Sequence, residues 1–319
     1  KKYIYGMLDL SYLRPAVPAE VLKSELTKER FIRYTSKLSN EIYIVNVHNA
    51  PNVVQEIGRL RELTFASSDG GTGNSVDLDE LDFSETPYQQ LIVWNPEEAE
   101  IVGGYRFIDG AVIAEQGDWK HDLSMGHYFN FSEKFLTEYL PYSIELGRSW
   151  VQPKYQPAVD PRKGMFALDN IWDGLGAICL TYKHMRYFYG KVTMYPSYQR
   201  DARDLVLNFL KYYFPDNHRL MTPHEALSVP EIEGLELYFP RDDNDFASAF
   251  KKGQRGLSKL ISVHGESIPP LIKQYMGLSP AMITFGTFVN SDFGAVEETG
   301  ILIPVDSIYE EKRNRYLTF

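Results

Sequence analysis

The run Ser143–Val151, SIELGRSWV, limits what this chain can fold into more than any other segment. Ile144, Leu146, Trp150 and Val151 predict a strand buried in a sheet, yet the same run carries Glu145 and Arg148. An ionised carboxylate and a guanidinium are costly in an apolar interior unless they are paired or used. The fold must therefore bring them partners. The sequence offers some upstream: Arg61 and Phe65, four apart and so on one face of a predicted helix; Asp79 and Asp82 in DLDELDF; and Arg106 in the strand-like VGGYRF. The two aspartates face one way only if their segment is helical or turn-like. Perturbed charges gather at active sites, so the whole ordered set points to function rather than to an ion-pair network alone.

At 319 residues and 44% hydrophobic, the chain has ample material for a core. Its formal charge of −10 argues against a nucleic-acid partner, which needs a basic footprint. The single Cys179 cannot form an intramolecular disulfide, which fits a reducing, cytoplasmic setting. No apolar run is long enough to span a bilayer, and Lys1–Tyr5 lack the apolar stretch of a signal peptide.

Strands and helices alternate along the chain, which predicts an α/β (α+β) class around a central mixed twisted sheet. Helical spacing covers Ala19–Ser39, Val53–Phe65, Phe166–Phe188 and Ala202–Phe214, with a helical turn at Leu271–Met276. Strand patterns cover Glu41–Val47, Leu91–Trp94, Ile101–Phe107, Tyr142–Val151, Tyr189–Tyr195, Ala281–Phe288 and Gly300–Val305. Asn95-Pro96-Glu97-Glu98 is a turn joining two of them. Residues 152–164 read as a loop. The expected organisation is an arm and helix over residues 1–40, then a single domain over 41–319 with an insertion around 215–263.

Several motifs carry no chemistry. The glycine-rich loop 67–75 lacks the Gly-Lys-Ser/Thr ending of a phosphate loop and reads as a surface loop or lid. Gly103-Gly104 has no dinucleotide-fingerprint partner. The seven histidines show no metal-ligand spacing, so no metal is expected. Ser149 is not in a nucleophile elbow. Cys179 sits on an apolar helical face and reads as core.

Taken together, Arg61-x-x-x-Phe65, Asp79-x-x-Asp82, Arg106 and Glu145-x-x-Arg148 resemble the pattern of acyl-homoserine-lactone synthases. Glu145-Leu146-Gly147-Arg148-Ser149, the Ser132-Glu133-Lys134-Phe135 stretch, and the tail Ile268-Pro269-Pro270-Leu271 with Asp292-Phe293 and Ile301–Pro304 look still more like the ornithine-lipid type of N-acyltransferase, a family also labelled hemolysin. The resemblance covers about residues 41–305. It implies a GNAT-like acyltransferase fold and the transfer of a long acyl chain from acyl carrier protein or coenzyme A to the amine of an amino acid, ornithine or glycine, with no tightly bound cofactor. It also implies roles. Glu145 and Arg148 would be catalytic. Arg61, Phe65, Asp79, Asp82, Arg106 and Glu133 would bind substrate. Val151, Arg162, Lys163 and Gly164 would meet the donor's phosphates. The family's Arg-Gly-rich phosphate turn is missing here, with only Arg162-Lys163-Gly164 offering something similar, and Trp150 stands where the ornithine type has Cys.

Within that scheme Glu145 is the expected general base, and backbone N–H groups of its strand are the expected oxyanion donors. An acidic carrier protein needs a local basic patch, for which Lys154, Arg162 and Lys163 are the nearest candidates. A lipid product implies peripheral contact with the inner face of a membrane. The alternatives are an acyl-lactone-forming enzyme and a non-catalytic, membrane-acting protein; the lack of a strong amphipathic or spanning segment speaks against the latter. One geometric condition follows. Glu145 and Arg148 point to opposite faces of a regular strand, so they share a site only if a β-bulge at Gly147 breaks the alternation.

Overall fold

The protein is described here by a computed structural model, which describes residues 10–68, 70–242 and 244–317, apart from the side chains of Lys163, Met165 and Leu168. Helix α1 (Ala19–Glu25) is followed by the edge strand β1 (Phe31–Tyr34) and by β2 (Glu41–Val45). Helix α2 (Pro51–Ala66) begins with Pro at its first position, where no backbone N–H is needed. The short α3 (Glu80–Phe83) precedes the paired β3 (Gln89–Asn95) and β4 (Glu100–Asp109). Helices α4 (Gly110–Gln116) and α5 (Trp119–Asp122) then lead to β5 (Phe129–Phe131) and β6 (Ser143–Val151). Helix α6 (Pro161–Thr181), β7 (Tyr187–Met194), α7 (Arg200–Tyr213), β8 (Met221–Pro223), α8 (Leu235–Tyr238) and α9 (Phe246–Ser262) follow. The chain closes with α10 (Pro270–Met276), β9 (Ile283–Asn290), β10 (Val296–Pro304) and α11 (Glu310–Tyr316).

Eight strands form one mixed sheet in the order β1-β2-β3-β4-β6-β7-β10-β9. Every neighbouring pair is antiparallel except β6 and β7, which are parallel. Alternation divides the side chains between two faces. On one face Leu91, Val93, Phe107, Ile144, Phe188, Val192 and Ile303 pack against residues of α6, α7, α9, α10 and α11. The other face carries two separate apolar clusters. Ile92, Trp94 and Trp150 pack under α2. Tyr189 and Leu302 pack with Phe129, Phe135 and Met125. The charged residues lie in the gap between those two clusters.

The sequence reading needs correction in four places. Helical spacing over Ala19–Ser39 ends at Glu25, because the Thr27 carbonyl takes up the Arg30 and Phe31 amides in a turn and the chain re-emerges as β1 against β2. The Glu25 carboxylate instead caps α2, accepting from the Val53 amide at 2.9 Å. The helix expected over Phe166–Phe188 runs from Pro161 to Thr181, absorbing the end of the expected loop, and Tyr187 already belongs to β7. The stretch 215–263, left without elements by its mixed composition, holds the seventeen-residue helix α9, capped by the Asp245 side chain on the Ser248 amide. Finally, a bulge does interrupt β6, but one residue past Gly147. Arg106 pairs with Gly147 and Gly104 with Trp150, so two steps on β4 span three on β6. The extra residue is accommodated at Arg148, whose φ of +50° lies in the left-handed region. Gly147 itself needs no special conformation, since an added Cβ there would meet only ordinary contacts with Arg106.

Gly103 helps the sheet tolerate this. An added Cβ at Gly103 would lie 2.3 Å from the Trp150 carbonyl oxygen, so this is a place of close backbone approach beside the bulge. Gly104 serves the other side of β4, where an added Cβ would lie 2.1 Å from the Leu91 carbonyl oxygen of β3.

Candidate active site

Arg106 on β4, Glu145 on β6, and Lys191 and Thr193 on β7 line one cavity, with Glu298 of β10. The bulge adds Arg148. Leu146, Gly147 and Ser149, Phe65 of α2, Ser124, Met125, Tyr195, Phe293, and Leu271 and Tyr275 of α10 complete the wall. The cavity sits at a split in the sheet. The β6–β7 ladder stops at the Leu146–Gly190 pair, although β6 continues to Val151 and β7 to Met194. Beyond that point β6 has lost its partner on the β7 side, and its free backbone edge faces the cavity.

Glu145 lies at the floor, 1% exposed. It accepts a hydrogen bond from the Tyr88 hydroxyl at 2.9 Å and a long one from the Met125 amide at 3.3 Å. The Tyr88 oxygen accepts in turn from the Ser124 amide at 2.9 Å. Burial pushes the Glu145 carboxyl above its ordinary value, against the opposing pull of the Tyr88 hydrogen bond and Lys191. A carboxylate raised in this way is a stronger proton acceptor than a solvated one. Lys191 faces the opposite pressure: burial lowers it, with Glu298 at 3.2 Å partly compensating. Its ammonium lies 4.3 Å from the centre of the Tyr128 ring, a cation–π contact.

Behind this wall is an interlocked set of arginines and aspartates. The Asp79 side chain caps α3 by accepting from the Leu81 amide, and the Asp82 side chain accepts from the Asp79 amide. This capping box is the turn that sets both carboxylates side by side. Arg106 grips Asp79 with both terminal nitrogens at 2.7 and 2.8 Å, and reaches Asp82 at 3.0 Å. Asp82 also accepts from Gln90 at 2.8 Å and pairs with Arg61 at 3.6 Å. Asp77 links Arg61 and Arg148, each through Nε at 3.0 Å. Burial pushes Asp77 up, but Arg148 and Arg61 outweigh it and hold the carboxyl below its usual range. Asp79 is likewise held low, its burial overcome chiefly by Arg106. Arg148 stacks on Phe293 at 4.4 Å, and its side chain pairs with two acids, Asp77 and Asp79.

The glycine-rich loop turns out to wrap a carboxylate rather than a phosphate. Glu62 is fully buried and accepts from the Thr72 amide, the Thr72 hydroxyl and the Gly73 amide, each at 2.8 Å. Tied down in this way, the loop delivers Asp77. Gly70 sits beside Tyr195 and Phe293 of the cavity wall.

The structure thus brings Phe65, Arg106, Glu145 and Arg148 into the cavity and places Arg61, Asp79 and Asp82 directly behind it. It does not bring in the others. Glu133 is exposed and outside the lining. Val151 ends β6, where its carbonyl accepts from Gln156. Arg162 is exposed in the first turn of α6, and Gly164 is buried there, where a Cβ would strike Pro157 at 2.2 Å. The Lys163 side chain lies outside the described residues. Sequence reasoning missed Asp77, Tyr88, Lys191 and Glu298. Asp77 and Lys191 had a signal of their own, a charge on an otherwise apolar or strand-like run. Tyr88 had none. Among the described residues, no His, Cys, Asp or Glu cluster is arranged to hold a metal ion, and no helix is long and apolar enough to cross a membrane.

A buried, raised carboxylate beside a split parallel pair, backed by arginines, can chemically serve proton abstraction from an amine. Comparison with known proteins gives the family. Residues 60–159 match the acetyltransferase (GNAT) domain family. A glycine N(alpha)-acyltransferase of Bacteroides thetaiotaomicron is 50% identical over 302 residues, covering 94% of this chain and 88% of that protein. One of Phocaeicola vulgatus is 48% identical, covering 94% of this chain and 91% of its own. Among solved structures, a CoA-dependent acyl-homoserine lactone synthase aligns with 48% of this chain and 67% of its own at 15% identity, with a TM-score of 0.31. The chain belongs to the GNAT family of amino-acid N-acyltransferases, and it is an acyltransferase.

Proposed function

We propose that the cavity acylates the α-amine of glycine, with a long-chain thioester of acyl carrier protein or coenzyme A as donor. The observation that carries this reading is that the bulge at Arg148 places a buried base and a guanidinium in one cavity at the open edge of β6. Glu145 takes a proton from the acceptor's ammonium. The freed amine attacks the thioester carbonyl, the oxyanion is met by backbone N–H groups of β6 beyond Leu146, and the C–S bond breaks as the leaving sulfur takes the surplus proton of the attacking nitrogen and departs as thiol. Arg148, whose pairs with Asp77 and Asp79 use two of its three nitrogens, is the cation left to meet the acceptor's carboxylate.

The lining favours glycine over ornithine. The cavity's only other carboxylate among the described residues, Glu298, is already engaged by Lys191 and by Asn290 at 2.8 Å. No acid is left over for a second ammonium. The names of the two relatives support the same acceptor. Thiol release measured with glycine, alanine and ornithine is expected to give the highest kcat/KM for glycine; equal or higher turnover of ornithine overturns this choice.

We assign the acyl chain to the apolar wall beside Leu146 and Tyr275. Two further small cavities share Leu146 and Tyr275 with the reactive one, and are walled by Trp172, Leu175, Phe188 and Ile303. Tyr275 lines all three. Tyr275→Ala is expected to shift preference by about tenfold towards donors roughly two methylenes longer, given about 0.8 kcal/mol per buried methylene. Competition between thioesters of different length reads this directly. The product is an amphiphile, so its release at the cytoplasmic face of a membrane fits the same reading.

A further inference from the structure

The chain is acidic overall, yet residues 246–264 contain Lys251, Lys252, Arg255 and Lys259 and not one acid. All four are exposed on α9. Their spacing puts them within an arc of about 100° on the side of the helix away from Phe250, Gly253, Leu257 and Ile261, which face the core. Among the described residues none of the four makes an ion pair, in contrast to Lys154, Lys191 and Lys211, which do. The N-cap Asp245 acts on Lys252, but among the described residues ion pairing does not account for the rest of the stripe.

Large apolar side chains accompany it. Val263, at the helix end, is 79% exposed, and Leu237 and Tyr238 of the adjoining α8 are 82% and 53% exposed. The Tyr238 carbonyl lies against Gly256, so α8 flanks the stripe. Its one acid is Glu236. From α9 the chain passes Tyr198, whose hydroxyl donates to the Ser267 carbonyl at 2.9 Å, and enters α10, which supplies Leu271 and Tyr275 to the active cavity.

We propose that α9, with Leu237, Tyr238 and Val263, is a docking surface for an anionic lipid bilayer. The cations attract the headgroups, and the exposed apolar side chains enter the interface. An acidic protein partner would use the same cations, and vesicle sedimentation separates it from a bilayer. The proposal gives a place to the membrane contact that the acyltransferase reading calls for, and its test needs no catalysis.

The intact protein is mixed with phosphatidylcholine vesicles with or without phosphatidylglycerol, and sedimentation is measured. Binding is expected only with the anionic lipid and is expected to weaken with salt. The charge-reversed variant Lys251→Glu/Arg255→Glu/Lys259→Glu is expected to bind at least about tenfold more weakly. Leu237→Ser/Val263→Ser is expected to lose the portion that resists salt. Unchanged thermal unfolding shows that the variants are folded. Equal binding to both vesicle types, or undiminished binding by the charge-reversed variant, overturns the proposal. So does a charge-reversed variant that loses only its association with acyl carrier protein. Failure here leaves the chemistry at Glu145 untouched, because thiol release is assayed separately with a soluble thioester.

Discussion

Replacing Glu145 with Gln is expected to lower kcat by about 10²–10⁴-fold, the range a positioned general base contributes. The amide keeps the size of the carboxylate and can still accept from the Tyr88 hydroxyl and the Met125 amide, so the fold is expected to survive. The pH dependence carries the sharper signature. Only the ionised carboxylate takes a proton, and burial raises its titration above 4.5. Wild-type activity is therefore expected to fall as pH drops through that raised value, an acidic limb displaced upward from an ordinary glutamate. The residual activity of the variant is expected to lack that limb. A variant that retains both rate and limb would remove Glu145 from the mechanism.

Asp82→Ala is expected to be the most damaging single change to the fold. Asp82 is 1% exposed and is shared by Arg106, Arg61, Gln90 and the Asp79 amide. Removing it leaves two guanidiniums, themselves 0% and 2% exposed, short of a counter-charge. Breaking a buried pair from one side costs about 3–5 kcal/mol. The urea midpoint is expected to fall accordingly, and the capping box of α3 is lost with it. Asp79→Ala makes a useful contrast, because its side chain is 35% exposed and solvent can reach the vacated space. Its cost is expected to be clearly smaller. Equal effects would mean that the network does not act through burial.

Much of this site can be read from the sequence, and the reason is physical. Charges on strands that must be buried announce themselves, as Glu145, Arg148 and Arg106 do, and Asp79 and Asp82 become partners once a turn brings them together. What sequence spacing could not locate is the bulge. It goes with a glycine of the neighbouring strand, Gly103, which allows close approach to Trp150 and Val151, and with the pairing of Arg148 to Asp77 and Asp79. Gly147 looked like the natural break because glycine tolerates such a backbone, but the break lies one residue on, at the residue that makes those tertiary ion pairs. Residues with no local signal stayed hidden for the same kind of reason. Tyr88 reads as one more aromatic until the fold sets its hydroxyl on Glu145. Helix α9 was obscured by its two internal glycines, whose positions are explained only by the close passage of Tyr213 and the Tyr238 carbonyl. The N-terminal helix was overextended because Phe31 and Ile32 fit a helical stripe as well as they fit an edge strand.

The central claim is that Glu145 and Arg148, joined by the bulge, form the site at which glycine is acylated. The most direct measurement is mass spectrometry of the product formed from a long-chain acyl thioester and ¹⁵N-labelled glycine, by the wild type and by Glu145→Gln. The wild type is predicted to release thiol in step with an N-acylglycine carrying the label in its amide, and the variant to form almost none. Thiol release without labelled amide, or equal amounts of labelled product from both proteins, would contradict the account.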